Sequence, residues 1–170
     1  MGKRQLTADQ LKASADYSAD TGEFIWKRRF SKAGKLVRRC GMKAGSVDAY
    51  GRIVMRIGGR LYFAHQLAWL YVHGAWPNGV IDHINGIRSD NRICNLRDVS
   101  QAVNMQNRRV AKTTHKLGVI GVSWHEAGRK WRARVGVNRR EVHLGLFDSV
   151  EEASAAYITA KRRLHEGCTL

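Results

Sequence analysis

The stretch VIDHINGIRSDNRICNLRDVSQAVNMQN, residues 80–107, contains the strongest fold signal in the chain. An apolar pair at its start predicts a short strand that ends on Asp82-His83, and the Asn-Gly pair that follows predicts a turn. An Asn-rich irregular connection comes next, then a second short strand or bend that starts at Val99, then a helix capped by Ser100 that runs to about residue 109. This order of elements would let Asp82-His83 meet Asn104 where the first strand packs on the helix.

The spacing of the polar residues carries a resemblance. Asn95 lies 12 positions after His83, and Asn104 lies 21 positions after it. This pattern resembles the HNH motif, the ββα-metal nuclease site, in the variant that ends in Asn, and the resemblance covers about residues 62–109. Phage-encoded HNH homing endonucleases show the same pattern. The resemblance implies an α+β fold, in which a β-rich N-terminal segment leads into a ββα-metal core, and the activity of a metal-dependent, site-selective DNA endonuclease.

The chemistry of phosphodiester hydrolysis explains why these residue types are needed. A neutral imidazole near pH 7 can take the proton of an attacking water, so His83 is predicted to be the general base. Oxygen ligands from Asp82 and Asn104 would hold one hard divalent cation per active site, Mg²⁺ or Mn²⁺. Zn²⁺ is disfavoured because no Cys or second His is placed as a ligand. The resemblance implies that Asn95, the other catalytic residue, braces the loop and the strand that bears His83.

Each of these residues also has an ordinary structural interpretation. Asp82 could cap a turn, His83 could be a core histidine, and Asn95 could be a turn residue, but their combined spacing favours the nuclease. The motif lacks the terminal His of its most common form, which leaves the number of metal ligands open. Asn107, one helical turn beyond the predicted ligand, is an alternative contact to metal or DNA. His65 is interpreted as a packing or supporting residue rather than a catalyst.

The C-terminal third predicts a second domain of three short strands and one helix. Turn signals at 126–128 and 138–139 separate the strands, and a cap region at 148–152 begins the helix. The runs GVSW (121–124), KW (130–131), LGLF (144–147) and EEA (151–153) resemble an AP2 domain, a DNA-binding module. The resemblance implies a three-stranded antiparallel sheet whose outer face enters the major groove. The positions that match its contact face are Ser123, His125, Arg129, Trp131, Arg132, Arg134 and His143. The alternative is that Trp131 belongs to the core and that the arginines are merely solvated.

The charge balance points to a polyanionic partner. Lys and Arg number 30 against 14 Asp and Glu, a net charge of +16. Such a charge favours nucleic acid, although a ribosomal or merely adhesive basic protein would share it. Between Lys27 and Lys43 there are eight basic residues and no acidic one, as expected of a loop that follows phosphates. Further backbone contacts are assigned to Arg28, Arg29, Arg38, Arg39, Arg108 and Arg109.

The remaining features limit the class of protein. Three dispersed cysteines without a CxxC pair disfavour a disulfide framework and suit a reducing cytoplasm, that of the host cell if the protein is phage-encoded. No run of about 18 apolar residues exists, so no membrane span is expected. We expect a nuclease domain at 1–110 with its HNH core at about 62–110, a linker at 111–117 and the AP2-like domain at 118–170.

The expected partner is double-stranded DNA rather than a small-molecule substrate. A monomer is favoured because no heptad or long apolar stripe indicates a dimer. The alternative function is a DNA-binding regulator of AP2 type that retains an inactive HNH remnant. An RNA-binding role is a weaker alternative, because no aromatic pair of RNP type and no KH-type GxxG loop is present.

Overall fold

The structure is a computed structural model that describes residues 5–27, 40–107, 119–138, 140–165 and 167–169. The chain divides into two compact units, residues 1–99 and 100–170. Both units mix helices with small antiparallel sheets, which confirms the α+β class. The predicted linker at 111–117 lies outside the described residues. In the part of the chain that is described, no helix is long and apolar enough to cross a membrane.

The first unit contains two helices and seven strands among its described residues. In chain order they are α1 (Ala8–Ser14), β1 (Ala15–Tyr17), β2 (Phe24–Trp26), β3 (Ser46–Val47), β4 (Ile53–Ile57), β5 (Arg60–Phe63), α2 (Ala64–His73), β6 (Val80–His83) and β7 (Leu96–Val99). A short 3-10 turn, Ile93–Asn95, precedes β7. All pairings are antiparallel: β1 with β2, β3-β4-β5 in that order, and β6 with β7.

Local sequence signals account for several of these elements. Thr7 and Gln10 form the reciprocal hydrogen bonds of a capping box at the start of α1. Gly58 and Gly59 both have positive φ, 57° and 82°, which the tight β4–β5 turn needs and which glycine adopts without steric strain. Gly74 ends α2 in the left-handed conformation, which its lack of a side chain permits.

One apolar core holds the first unit together. Leu11, Phe24, Met55 and Leu67 are at most 2% exposed and pack in this core. Removal of such side chains from water is the main favourable contribution to folding. Ile81 of β6 belongs to the same core, as does Leu96 of β7. The β6–β7 hairpin is therefore fixed to the body of the unit, and with it the residues at the end of β6.

Among its described residues, the second unit contains a short helix followed by three strands and a longer helix. These are α3 (Gln101–Gln106), β8 (Val122–His125), β9 (Lys130–Val137), β10 (Arg140–Phe147) and α4 (Val150–Leu164). The antiparallel sheet has the order β10-β9-β8, and α4 packs on it. Val122, Ala133 and Ala153 form the centre of the core between sheet and helix. Ser149 caps α4 by accepting a hydrogen bond from the Glu152 amide.

One expectation about the HNH segment is wrong. The second strand begins at Leu96 and ends at Val99, instead of beginning at Val99. The last described helical residue of α3 is Gln106, and residues 108 and 109 lie outside the described residues. Gly167 lies against Val103 and Gln106 of α3, so these two residues are on the side of α3 that packs within its own unit.

Candidate active site and basic face

Asp82 and His83 lie side by side at the C-terminal end of β6, and both are buried, 6% and 8% exposed. In the β6–β7 register Asp82 lies directly opposite Arg97. Directly opposed residues project on the same face, so the two side chains meet. Arg97 donates to Asp82 Oδ2 from Nε at 2.9 Å and from Nη2 at 2.7 Å. A buried carboxylate needs such compensation for the lost hydration.

The His83 ring contacts two polar neighbours. Its Nε2 lies 3.2 Å from Asn91 Oδ1, and its centroid lies 5.1 Å from that of His65, edge to face. Burial lowers the pKa of His83 below its ordinary value, while the hydrogen bond to Asn91 acts in the opposite direction. Burial also lowers the pKa of His65, to about 4. Both rings are therefore neutral at pH 7, which is the form a general base requires.

Asn95 joins the two ends of the loop between β6 and β7. Its Oδ1 accepts from the Asn85 amide at 2.9 Å, and its Nδ2 donates to the Asp90 carbonyl at 2.8 Å. Its own carbonyl accepts from the Ile84 amide at 2.9 Å. Asn95 is 6% exposed. Its three groups thus tie the residues just after His83 to the far side of the loop.

Asp90 is the centre of a second network in the same loop. Its carboxylate accepts from Asn85 Nδ2 at 2.7 Å and from Arg92 Nε at 2.8 Å and Nη2 at 2.6 Å. The hydrogen bonds from Arg92 are the main reason why the pKa of Asp90 falls to about 2. Asp90 and Asn91 had no role in the sequence analysis. The signal that marks them is the run Ser-Asp-Asn itself, since these side chains commonly bond to loop backbone.

The second predicted metal ligand, Asn104, lies on α3 and so belongs to the second unit. Its proximity to Asp82 stays a prediction. Asn107 is buried and hydrogen bonded to Thr169 within that unit. Across the described ranges, no three His, Cys, Asp or Glu side chains lie close enough to share a metal ion. The predicted ligand pair contains one side chain of these types, Asp82, together with an amide oxygen.

The sheet of the second unit brings five of the seven predicted contact residues to one face. Ser123 lies opposite Arg132 in the β8–β9 register, and His143 lies opposite Arg134 in the β9–β10 register. Alternation along β9 turns these side chains away from the buried Ala133, which packs towards α4. We call this surface the basic face and define it as Ser123, His125, Lys130, Arg132, Arg134 and His143.

The other predicted contact residues are placed differently. Trp131 has the same alternation as Ala133, packs against the core under α4 and meets Trp124 edge to face at 5.0 Å between centroids. It is therefore not on the basic face. Arg129 lies in the turn before β9 with φ of 46°, and its amide donates to the Glu126 carbonyl. Outside the described residues lie Arg28, Arg29, Arg38, Arg39, Arg108 and Arg109.

Two polar atoms of the basic face are buried without a hydrogen-bond partner in the described part of the chain. They are Ser123 Oγ and Arg132 Nε, which belong to directly opposed residues. Arg134 donates from Nη1 to Glu141 Oε2 at 2.6 Å in an ion pair that water reaches.

Comparison with known proteins gives one family and one solved structure. Residues 62–106, about a quarter of the chain, match the family HNH_3, described as HNH endonuclease. The solved structure is described as DNA binding and cleavage by the HNH homing endonuclease I-HmuI. It shares 20% identity over 97% of this chain and 95% of that chain, with a TM-score of 0.41. None of the curated proteins matches.

The family match includes β6, β7 and α3, and with them Asp82, His83, Asn95 and Asn104. It supports an HNH-type nuclease segment in this chain. The structural likeness is too distant to carry a functional conclusion.

Proposed function

We propose that the protein is a metal-dependent DNA endonuclease of the HNH type in which His83 is the general base. The observation that carries this proposal is the buried pair Asp82 and His83 at the end of β6, inside the segment that matches the HNH family. A carboxylate beside a neutral imidazole provides one group to hold a cation and another to accept a proton.

His83 would accept the proton of the attacking water. Its lowered pKa keeps it neutral at pH 7, so no prior deprotonation is needed. Asn95 would hold the β6–β7 loop in shape around it, through the three hydrogen bonds it makes there. The imidazole is thereby presented by a braced hairpin instead of a mobile loop, which favours a productive geometry.

The donor atoms fit a hard divalent cation. Asp82 offers a buried carboxylate, and the motif assigns the amide oxygen of Asn104 as a second ligand; both are oxygen donors of the kind that Mg²⁺ and Mn²⁺ prefer. When bound, such a cation supplies charge neutralisation at the phosphate and at the leaving oxygen. Arg97 is the cationic partner of the Asp82 carboxylate in this structure.

The basic face would bind double-stranded DNA in the manner that the AP2 resemblance implies. The net charge of +16 supports phosphate contacts, and the basic face brings Lys130, Arg132 and Arg134 together on one side of the sheet. Arginine on a sheet face can also bond guanine edges in the major groove. We assign the DNA contacts of this sheet to Ser123, His125, Arg132, Arg134 and His143, and not to Trp131.

Conversion of supercoiled plasmid tests the proposed function. We expect wild type to produce nicked circles before linear product with Mg²⁺ or Mn²⁺ and to produce neither in EDTA. His83→Ala should lose the activity. His73→Ala is the matched control and should behave as wild type, because His73 is exposed at the end of α2 and bonds the Trp69 carbonyl. Plasmid binding without cleavage in any divalent cation would instead identify a DNA-binding protein with an inactive HNH segment.

A further inference from the structure

Asn91 is the most deeply buried polar residue around His83. It lies in the β6–β7 loop, is 1% exposed and directs Oδ1 to Nε2 of His83 at 3.2 Å. Its Nδ2 is buried without a hydrogen-bond partner in the described part of the chain. A buried donor without a partner destabilises the fold by itself. Structural stability alone therefore does not account for an asparagine at this position.

We propose that Asn91 is a positioning residue that holds His83 as the Nε2–H tautomer and leaves Nδ1 to accept the proton of the attacking water. A neutral imidazole carries its hydrogen on one nitrogen and an acceptor lone pair on the other. An amide oxygen can only accept, so the nitrogen that faces it must carry the hydrogen. The proposal rests on the proposed function, in which His83 is the general base.

The N-terminal hairpin β1–β2 holds Asn91 from the other side. Tyr17 donates from its hydroxyl to the Asn91 carbonyl at 2.7 Å, across 74 positions of sequence. Burial raises the pKa of Tyr17 to about 12, so the hydroxyl remains a donor at all moderate pH values. This hairpin lies outside residues 62–106, the segment that matches the HNH family. The positioning of His83 thus depends on a part of the chain that the motif does not include.

Gly22 makes the close approach of the hairpin possible. It has φ of +71°, and a Cβ at this position would lie 2.5 Å from the Asn91 carbonyl carbon and 2.4 Å from the Arg92 amide nitrogen. No side chain fits in that space. The β1–β2 turn therefore packs backbone against backbone on the segment that carries Asn91.

His65 limits the ring of His83 on another side. The two rings meet edge to face, and His65 itself stacks on Phe63 at 5.4 Å between centroids with an interplanar angle of 7°. The His83 ring is thus confined by a hydrogen bond at Nε2 and by an aromatic contact. Together these restrict both its tautomer and its rotation.

The test combines ring nitrogen chemical shifts with cleavage rates in the full-length chain at pH 8. Long-range ¹H–¹⁵N correlations distinguish protonated from unprotonated ring nitrogens, and the His83→Ala spectrum identifies the His83 signals. We expect wild-type His83 to carry its hydrogen on Nε2. Asn91→Ala should give exchange-averaged shifts and slow single-turnover nicking of plasmid by about 10–100-fold, with unchanged DNA affinity. Asn91→Asp keeps an acceptor oxygen and should keep the tautomer.

The hairpin contact has its own pair of variants. Tyr17→Phe removes the hydroxyl that bonds the Asn91 carbonyl and should shift the His83 signals in the direction of Asn91→Ala, with a smaller loss of rate. Tyr71→Phe is the matched control, because its ring lies 5.6 Å from that of Tyr17 and loses the same atom. It should leave both measurements unchanged.

Two results would overturn the proposal. One is a wild-type His83 that carries its hydrogen on Nδ1, since the Asn91 amide would then be the donor and the base nitrogen would be wrong. The other is an Asn91→Ala chain whose shifts and rate stay within twofold of wild type. If wild-type His83 carries its hydrogen on Nε2 and Asn91→Ala gives exchange-averaged shifts, but wild type cuts no DNA, the positioning of His83 stands and the nuclease assignment fails.

Discussion

Replacing Arg97 with Met removes one of the two cations that Asp82 is expected to bind. Its guanidinium makes two hydrogen bonds to a carboxylate whose side chain is 7% exposed. Loss of one partner of a buried ion pair costs about 3–5 kcal/mol, because the remaining charge is buried without it. The Arg97 side chain is itself 25% exposed, so water screens the pair in part. We therefore expect a loss of about 3 kcal/mol in the free energy of unfolding in EDTA.

A divalent cation should reverse much of this loss if Asp82 is a metal ligand. A ligand that binds only the folded state at about 100 times its dissociation constant adds about 2.7 kcal/mol. Arg97→Met should also bind Mg²⁺ more tightly than wild type does, because the guanidinium no longer competes for the carboxylate. The difference in the free energy of unfolding between Arg97→Met and wild type should therefore become smaller as Mg²⁺ is added.

Hydrogen exchange of the peptide 80–99 in increasing urea measures this effect within the first unit. Lys27→Met is the matched control: it removes a cation whose partner, Asp16, is 63% exposed, and such surface pairs contribute at most about 1 kcal/mol. An Arg97→Met chain as stable as wild type in EDTA would refute the compensation of Asp82 by Arg97. A loss of stability that Mg²⁺ leaves unchanged would refute Asp82 as a metal ligand.

Four further outcomes are expected. His83→Ala should slow single-turnover nicking about 10²–10⁴-fold with unchanged affinity in a gel shift, and normal cutting would exclude it as the base. Arg132→Ala and Arg134→Ala should each weaken DNA binding by about 1–3 kcal/mol if they contact base edges. Arg162→Ala on α4 is the control and should leave DNA binding unchanged. A double variant of Arg132 and Arg134 with wild-type affinity would show that the basic face does not contact DNA. The log–log slope of affinity against salt should be about −5 or steeper if six or more phosphates are contacted, and a flat dependence would argue against phosphate contacts. His65 has a pKa of about 4 in the folded state and 6.5 ordinarily, so the unfolded state binds the proton first as the pH falls. The free energy of unfolding should therefore fall by up to about 3 kcal/mol between pH 6.5 and pH 4. Urea unfolding of His65→Phe should show a weaker pH dependence, and a pH dependence equal to that of wild type would contradict this.

The sequence predicts those parts of the fold that local rules determine. The end of α2 at Gly74, the turn at Gly58-Gly59, the end of β6 on His83 and the cap at Ser100 all follow from residues adjacent to each feature. The position of Trp131 was also available from the sequence. It has the same alternation as Ala133 along β9, so it belongs to the core side of the sheet and not to the face that bears Arg132.

The register of β7 and the contacts around His83 follow no local rule. Arg97 meets Asp82 only because β7 begins at Leu96, and pairing between strands depends on the packing of both against the core. The contact between Tyr17 and Asn91 joins residues 74 positions apart, and no periodicity or turn signal in either segment indicates it. The supporting residues of the site therefore appear only in the folded chain.

The distribution of buried polar residues supports a site in the β6–β7 hairpin independently of any motif. Among the described residues seven polar or charged side chains are buried, and four of them, Asp82, His83, Asn91 and Asn95, lie within 14 consecutive positions. Burial of polar groups destabilises a fold unless each is compensated, and apolar residues of similar volume would pack there without that requirement. In the hairpin, Arg97 compensates the buried Asp82, and the Asn85 amide and the Asp90 carbonyl compensate the buried Asn95. Such a concentration in one short segment is better explained by what these groups do together than by what they contribute to stability.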